Sequence, residues 1–501
     1  MILKLLSRFG FLIFLVTSWT IIICTTIPLL PFSMTILITR KLEEIVYRIL
    51  YRALHFKTEE TPWLTDTPRN RTDINCLLML EGKLGIKKFQ GLMDRKLVKA
   101  RNTKTGKLLY PRVTEYVHTG YLNYYWLEET NFKLKDHVYE WSENPCRSKN
   151  QLQDLISKLA ERPLRSSDNK SPWEFVVVHC RNTDGFIQSG IIVRISHCLA
   201  DGTSLMYFLI NHLCDDSNNN GYLAGPEHQI SFTQKSMIYL KSSIYYPYNV
   251  AKTLAPQWTR PTSLNCPEAS LSGKKRYIYA RPINLELIKI IKRNLNVTIN
   301  DVILGCIATS LHNFFRKKNE KAPHNLITCI PLDTRLSLEQ AKEFSNKINI
   351  TMLPLPTSSA DSIRNILEIH DRMKSRKDSL EGMSMRIGLR LLAEMTPNCA
   401  MQEIIRSSAS NAVMIVSNVQ GPSHELMLAG NKLSSLVFWP PGKDSIGSSI
   451  SIMSYNGFIY TGALSDTNIM KYPEKMIEDL PAIIMSLAES FTSKKNAYSS
   501  D

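Results

Sequence analysis

A chain of 501 residues with 44% hydrophobic side chains is too long for one small core and too apolar for wholesale disorder, and suits two domains of roughly 150 to 250 residues each. The net charge of +16 invites a nucleic-acid partner, but the basic runs Lys274-Lys275-Arg276, Arg316-Lys317-Lys318 and Arg372 to Lys377 accompany no nucleic-acid-binding motif, so none is expected. Ten scattered cysteines, with no Cys-x-x-Cys pair and no zinc spacing, give no support to a disulfide framework or to metal catalysis, and no metal ligand is assigned.

From the N-terminus, Phe9 to Thr39 carries no charged residue, and about 20 apolar residues suffice to span a bilayer. Lys4 and Arg8 precede the stretch; Arg40, Lys41, Arg48 and Arg52 follow it, which weakly favours a cytosolic body. Residues 1–57 are therefore expected to be a membrane anchor with a transmembrane segment, continued over 42–57 by an amphipathic basic connector. Pro28 and Pro31 interrupt the run, leaving one span plus an interfacial stretch, a re-entrant hairpin, or a signal peptide, the last disfavoured for want of a small-residue cleavage site. Asn70, Asn169, Asn296 and Asn349 begin glycosylation triplets, read as unused because Asn296 and Asn349 adjoin predicted strands and active-site blocks.

The first domain, 70–225, reads as helix over Gln151 to Glu161 and strands over Phe175 to His179 and Gly190 to Ser196. His197-Cys198-Leu199-Ala200-Asp201-Gly202 then stands between that last strand and a helix-like run, Thr203 to Leu213. By the period of two, Ile191, Val193, Ile195 and His197 share one face, which carries the imidazole toward the interior. Asp201 is placed to cap the helix or hold an arginine, and Gly202 to permit a tight turn. A core histidine beside a helix cap explains the same letters. Residues 226–272, rich in Tyr, read as an interdomain crossover or an aromatic surface touching a membrane. The second domain, 273–495, reads as strand over Arg276 to Ala280, helix over Leu285 to Leu295, an apolar helix over Val302 to Phe315 entered through Asn300-Asp301, strand over Ala412 to Ser417, and a hairpin turning at Asn456-Gly457.

Ordered blocks along residues 73–485 resemble the wax ester synthase/diacylglycerol acyltransferase family. They are Trp126-Leu127-Glu128-Glu129, Pro163-Leu164 with Pro172-Trp173-Glu174, the histidine block, Asn300-Asp301-Val302, Asn346 with Leu353-Pro354, Ser417-Asn418-Val419-Gln420-Gly421-Pro422, and Ser454-Tyr455-Asn456-Gly457. The chain departs from the family pattern at Ser196, where the family has the first of two histidines, and at Gln420, where it commonly has proline. The resemblance implies an α/β (α+β) fold of two chloramphenicol-acetyltransferase-like, coenzyme A-dependent acyltransferase domains with an interdomain tunnel. It implies transfer of a long-chain acyl group from acyl-CoA, a cosubstrate and not a bound cofactor, to a fatty alcohol or diacylglycerol.

In that reading His197 is the general base that takes the hydroxyl proton, without a covalent acyl-enzyme. Asp201, Gly202, Asn300 and Asp301 support the motif, with Arg335 a candidate partner of Asp201 and the Asn300 amide either an oxyanion donor or a helix cap. Ser196 and Asn418 are candidate channel-lining residues. The basic runs read mostly as solvated faces, and otherwise as attraction to anionic lipid headgroups or CoA phosphates. The lipid bilayer is the expected partner, and the endoplasmic reticulum, before the plasma membrane, the expected location of a cytosolic catalytic body. A catalytically impaired, membrane-tethered lipid- or acyl-CoA-binding protein is the alternative, suggested by Ser196. A serine hydrolase is disfavoured by the lack of a Gly-x-Ser-x-Gly elbow, and a soluble plant-type acyltransferase by the lack of an Asp-Phe-Gly-Trp-Gly block.

Overall fold

In the computed structural model the described residues are 2–142, 146–164, 169–181, 185–215, 233, 236–237, 239–246, 262–265, 270–335, 338–377, 388 and 390–498. Most of the expected crossover, 226–272, lies outside them. The architecture is mixed α/β, with strands numbered in chain order. A small sheet joins β1 (Leu54–His55), β3 (Glu115–Thr119) and β4 (Tyr124–Glu128). A six-stranded sheet in the order β13-β14-β2-β7-β6-β5 combines β2 (Asp73–Glu81), β5 (Val138–Glu140), β6 (Trp173–Arg181) and β7 (Ile187–Ser196) with β13 (Met427–Leu428) and β14 (Asn431–Trp439). A seven-stranded sheet runs β11-β10-β12-β15-β16-β8, with β9 also on β16. It comprises β8 (Lys275–Tyr279), β9 (Ile283–Asn284), β10 (Asn325–Asp333), β11 (Ile348–Pro356), β12 (Met414–Gln420), β15 (Ser448–Tyr455) and β16 (Phe458–Asp466).

The exchange of β14 ties the two halves together. Residues 427–439, expected with the second domain, leave it for the six-stranded sheet, where β14 pairs antiparallel with β2, Trp439 opposite Asn75, and β13 pairs with β14. Trp439 is fully buried and donates from its indole Nε1 to the Ile278 carbonyl of the other sheet at 2.8 Å. The strand pattern of β14 is readable locally, but periodicity does not say which sheet a strand joins. Several local signals behave as their chemistry dictates. The helix Leu285–Leu295 opens on an Asn284 cap and closes on Asn296 in the left-handed region, φ 52°. The β15/β16 hairpin turns at Asn456 and Gly457, φ 46° and 77°, a turn in which both residues need positive φ. Asn70, the first glycosylation triplet, is 1% exposed and donates to the carbonyls of Asp444 and Ile446.

The N-terminus departs from expectation. A single helix, α1 (Ile2–Tyr51), continues through Pro28 and Pro31. Each proline removes one backbone donor, and the turns on either side carry the helix on. The expected transmembrane segment is not supported: among the described residues, no helix is long and apolar enough to cross a membrane, and the side chains of residues 2–12, 14, 22, 25 and 26 lie outside them. The C-terminal half of α1 is instead docked on the body through polar groups. Ser33, Ile36 and Arg40 are buried, the Glu43 carboxylate accepts from the backbone of Tyr121 and Leu122, and the Tyr47 ring stacks on Tyr125 at 4.1 Å. Around the helix from that face, Ile27, Leu30, Met34, Ile38, Leu42, Ile45 and Ile49 form a stripe of apolar side chains between 49% and 72% exposed.

Helix packing in the second half leaves no room at Gly305. On the helix Ile299–Lys317, a Cβ added there would lie 2.4 Å from the Ile366 Cγ1 and 2.7 Å from its Cα, on the helix Ser362–Lys377. Gly305→Val should therefore force these helices apart at a cost of about 1–3 kcal/mol, read as a lowered midpoint of thermal unfolding. An unchanged midpoint would mean that the helices do not approach so closely.

Candidate active site

His197 follows the last residue of β7, where the chain leaves the sheet and turns into the helix Gly202–Phe208. Its backbone N–H donates to the Thr72 carbonyl at 2.8 Å, holding the turn against the start of β2. The imidazole is 6% exposed and stacked face to face on Trp63, ring centroids 3.8 Å apart. Asn346 holds it from the second half of the chain: its Nδ2 donates to the His197 carbonyl at 2.7 Å, which turns its Oδ1 to the ring Nδ1 at 2.9 Å. An amide oxygen only accepts, so Nδ1 carries the hydrogen and Nε2 keeps the lone pair. Nε2 has no hydrogen-bond partner among the described residues. Burial pushes the imidazole down to about 4, opposed in part by the Asp201 charge and the Asn346 hydrogen bond, so the ring is neutral at physiological pH.

Asp201 caps the helix, accepting from Ser204 N at 3.0 Å. Its carboxylate also takes the Arg335 guanidinium at 2.9 and 3.0 Å and Lys347 N at 2.8 Å, so it is spent on structure. Arg335, the arginine named from sequence, is thus its partner, and both side chains are buried. The pair draws the segment leading into β11, Asn346 included, against the histidine turn. Gly202 has an ordinary φ and is not at a tight turn; it is small because a Cβ would press within 3.3 Å of Val419.

Two cavities meet at His197 between the large sheets. One, of about 170 Å³, is walled mostly by apolar side chains, among them Trp63, Ile350, Met352, Ile405 and Ile415. The other, of about 300 Å³, is more polar and includes Asp333, Ser417, Asn418 and Gln420. A third, of about 70 Å³, lies behind the helix Gly202–Phe208 and shares Gly202, Met206, Val419 and Phe438 with the second.

The remaining sequence candidates divide. Asn418 lines the second cavity and donates to the Asn300 Oδ1 at 3.1 Å. Neither Asn300 nor Asp301 lines a cavity that reaches His197. Asp301 is the reciprocal half of a capping box with Thr298 and pairs with His370 at 2.8 Å, so the cap is Thr298, not Asn300. Ser196 is fully buried and lines neither of these two cavities, and its hydroxyl accepts from the Cys198 thiol at 3.3 Å. Strand alternation sends it to the face opposite His197.

Sequence reasoning missed Trp63 altogether and gave Asn346 no role. The only available signal for Asn346 was its place in a matching block, and Trp63 carried none, since it stands 134 positions from the histidine it stacks on. The buried Asp201–Arg335 pair yields a stability expectation. Arg335→Ala strands a buried carboxylate and should cost about 3–5 kcal/mol in denaturant unfolding, whereas a loss below about 1 kcal/mol would place the pair in solvent.

With this geometry in view, comparison with known proteins is direct. Residues 85–242 match the wax ester synthase/diacylglycerol acyltransferase catalytic domain and residues 344–487 the WS/DGAT C-terminal domain. The chain is 25% identical over 397 residues to the probable diacylglycerol O-acyltransferase tgs1 of Mycobacterium tuberculosis, covering 73% of this chain and 82% of that protein. It is 23% identical over 431 residues to wax ester synthase/diacylglycerol acyltransferase 10 of Arabidopsis thaliana, covering 76% and 87%. Its fold is similar to that of the wax ester synthase/diacylglycerol acyltransferase from Marinobacter aquaeolei VT8, with a TM-score of 0.59 at 17% identity over 87% of this chain and 99% of that one. A condensation domain of the calcium-dependent antibiotic synthetase shares the fold at a TM-score of 0.53 and 11% identity, over 87% and 96%. With two matched domains flanking the His197–Asn346 seam, the chain belongs to the wax ester synthase/diacylglycerol acyltransferase family and is an acyltransferase.

Proposed function

We propose that this acyltransferase moves a long-chain acyl group from acyl-CoA to the hydroxyl of a lipid alcohol, a fatty alcohol or a diacylglycerol, with His197 as general base. The observation that carries the proposal is a buried imidazole reached by two cavities, with Nδ1 bound to Asn346 and Nε2 without a hydrogen-bond partner among the described residues. Nε2 takes the hydroxyl proton as the alcohol oxygen bonds to the thioester carbonyl carbon. The tetrahedral adduct then collapses, the carbon–sulfur bond breaks, and the imidazolium returns the proton to the coenzyme A thiolate. The polar second cavity suits the amide-rich arm of coenzyme A, and the apolar first cavity suits the acceptor lipid. A passage through both past His197 keeps the reacting atoms from bulk water. We further propose that the outward apolar stripe of α1 rests in a bilayer surface, from which the lipid substrates are drawn, with the catalytic body on the cytosolic side. Ser196, turned away from both cavities that meet at His197, gives no reason for lost turnover, so the impaired-enzyme alternative has no support from this site.

His197→Ala should lower turnover by roughly 10² to 10⁴ when assayed well below its unfolding midpoint, which itself should fall because the buried ring leaves a cavity beside Trp63 and strands the Asn346 oxygen; near-normal esterification by this variant would end the proposal. The pH dependence has a definite sign. Only the neutral ring accepts a proton and burial lowers its pKa, so kcat/KM should stay level as pH falls through 6.5, the ordinary imidazole value, and decline only on approach to about 4. An acid limb at or above 6.5 would assign the base to another group. Supplying labelled palmitoyl-CoA with hexadecanol and diacylglycerol in competition identifies the acceptor from the labelled neutral lipid. Binding of acyl-CoA without thiol release would favour the impaired alternative.

A further inference from the structure

Where α1 crosses the body, a cavity of about 520 Å³ opens between the helix, the segment around His55 and Lys57, and the helical residues 390–394. Arg40, Lys41, Lys57 and Arg390 bring four cations to its wall, against the carboxylates of Glu44 and Glu394. Both carboxylates are already engaged, Glu44 with Lys41 at 2.8 Å and Arg48 at 2.9 Å, and Glu394 with Arg390 at 3.2 Å. Arg40 is the unusual member. It is 7% exposed, yet no carboxylate touches it: its Nη atoms donate to the Asn123 Oδ1, the Thr396 carbonyl and the Asn398 Oδ1, at 2.9 to 3.2 Å. Its Nε–H has no partner among the described residues. The Glu43 and Glu394 charges partly offset the burial of this guanidinium, and Lys41 and Arg390 are paired with Glu44 and Glu394; a buried guanidinium hydrogen-bonded to neutral oxygens, on a wall that carries four cations against two carboxylates, favours an anion in the cavity.

We propose that this cavity seats the phosphate of an acidic glycerophospholipid belonging to the bilayer on which α1 lies, an inference that rests on the reading of α1 given above. Position argues for a lipid over a soluble anion. Of the four α1 residues on the cavity wall, Arg40 faces the body, and Leu37, Lys41 and Glu44 lie on the flank of the helix beside the stripe of Ile38, Leu42 and Ile45, about a quarter turn away. Acyl chains lying along that stripe put their headgroup at the cavity mouth. No residue of this cavity lines those that reach His197, so the site is separate from the one that handles acyl-CoA.

The test is sedimentation of the full chain with phosphatidylcholine vesicles, with and without phosphatidic acid. Phosphatidic acid should raise the bound fraction, and Lys41→Glu/Lys57→Glu should cut that increment by roughly tenfold or more, given about 1 kcal/mol per basic residue at an anionic surface. Arg40→Gln, checked for an unchanged unfolding midpoint, should reduce the increment as well. Binding to pure phosphatidylcholine should survive all three substitutions and be lost in Leu42→Asp/Ile45→Asp. An increment untouched by both the double reversal and Arg40→Gln overturns the site. So does an increment abolished by inorganic phosphate or free coenzyme A at constant ionic strength, which would make it a pocket for a soluble phosphate. Absence of binding to pure phosphatidylcholine, with the increment and its sensitivity intact, would instead overturn the apolar docking of α1 and leave the anion site standing.

Discussion

The reciprocal hydrogen bonds between His197 and Asn346 join the two halves of the chain at the candidate active site. One amide does three things at once: it satisfies a carbonyl in a turn, fixes the ring's tautomer, and holds its plane. The Asp201–Arg335 pair lies beneath and keeps the segment that carries Asn346 in reach. Both contacts are buried, where a stranded partner is costly, so the two halves hold the imidazole at their seam as a unit. Trp63 closes the remaining face by stacking, and Lys443 lies over that indole at 5.6 Å from its centroid.

The seam would slide if the halves were only apposed. The strand β14 prevents this, because it leaves the second half to lengthen the first half's sheet, and Trp439 at its end bonds back to β8. The main apolar core accordingly draws side chains from both halves, Leu77, Val176 and Ile192 with Leu436, Val437 and Tyr455. A cleft between sheets tied in this way keeps its spacing while its walls vary, which suits an acyltransferase whose site is built from both halves of the chain.

The helix α1 follows a different logic. Its inward face is polar where it meets the body, through Arg40, Glu43 and Tyr47, and its outward face is apolar. This inverts the amphipathicity of an ordinary surface helix, whose apolar stripe faces the core. The inversion is the observation behind the bilayer contact proposed for α1, and the basic cavity lies on the helix between its apolar stripe and the body.

Local chemistry was legible in the sequence wherever it acts over a few residues. The helix Leu285–Leu295, the Asn456-Gly457 hairpin, the alternation that carries His197 inward, and the Asp201 cap all follow from spacing, because φ/ψ preference and side-chain direction are properties of a few neighbouring residues. The family, too, was carried by ordered blocks. Gly202 was misassigned to a turn because the need for a small residue there comes from Val419, far away in the chain. Asn300-Asp301 was read toward the channel because nothing local tells a capping box from a substrate contact when the first residue of the box, Thr298, lies just upstream. Which asparagine fixes the His197 ring, which sheet receives β14, and which face of α1 meets the body were decided only by tertiary structure. Each is a pairing between residues more than a hundred positions apart or a choice between two faces of one element, and such choices depend on what the rest of the chain brings alongside.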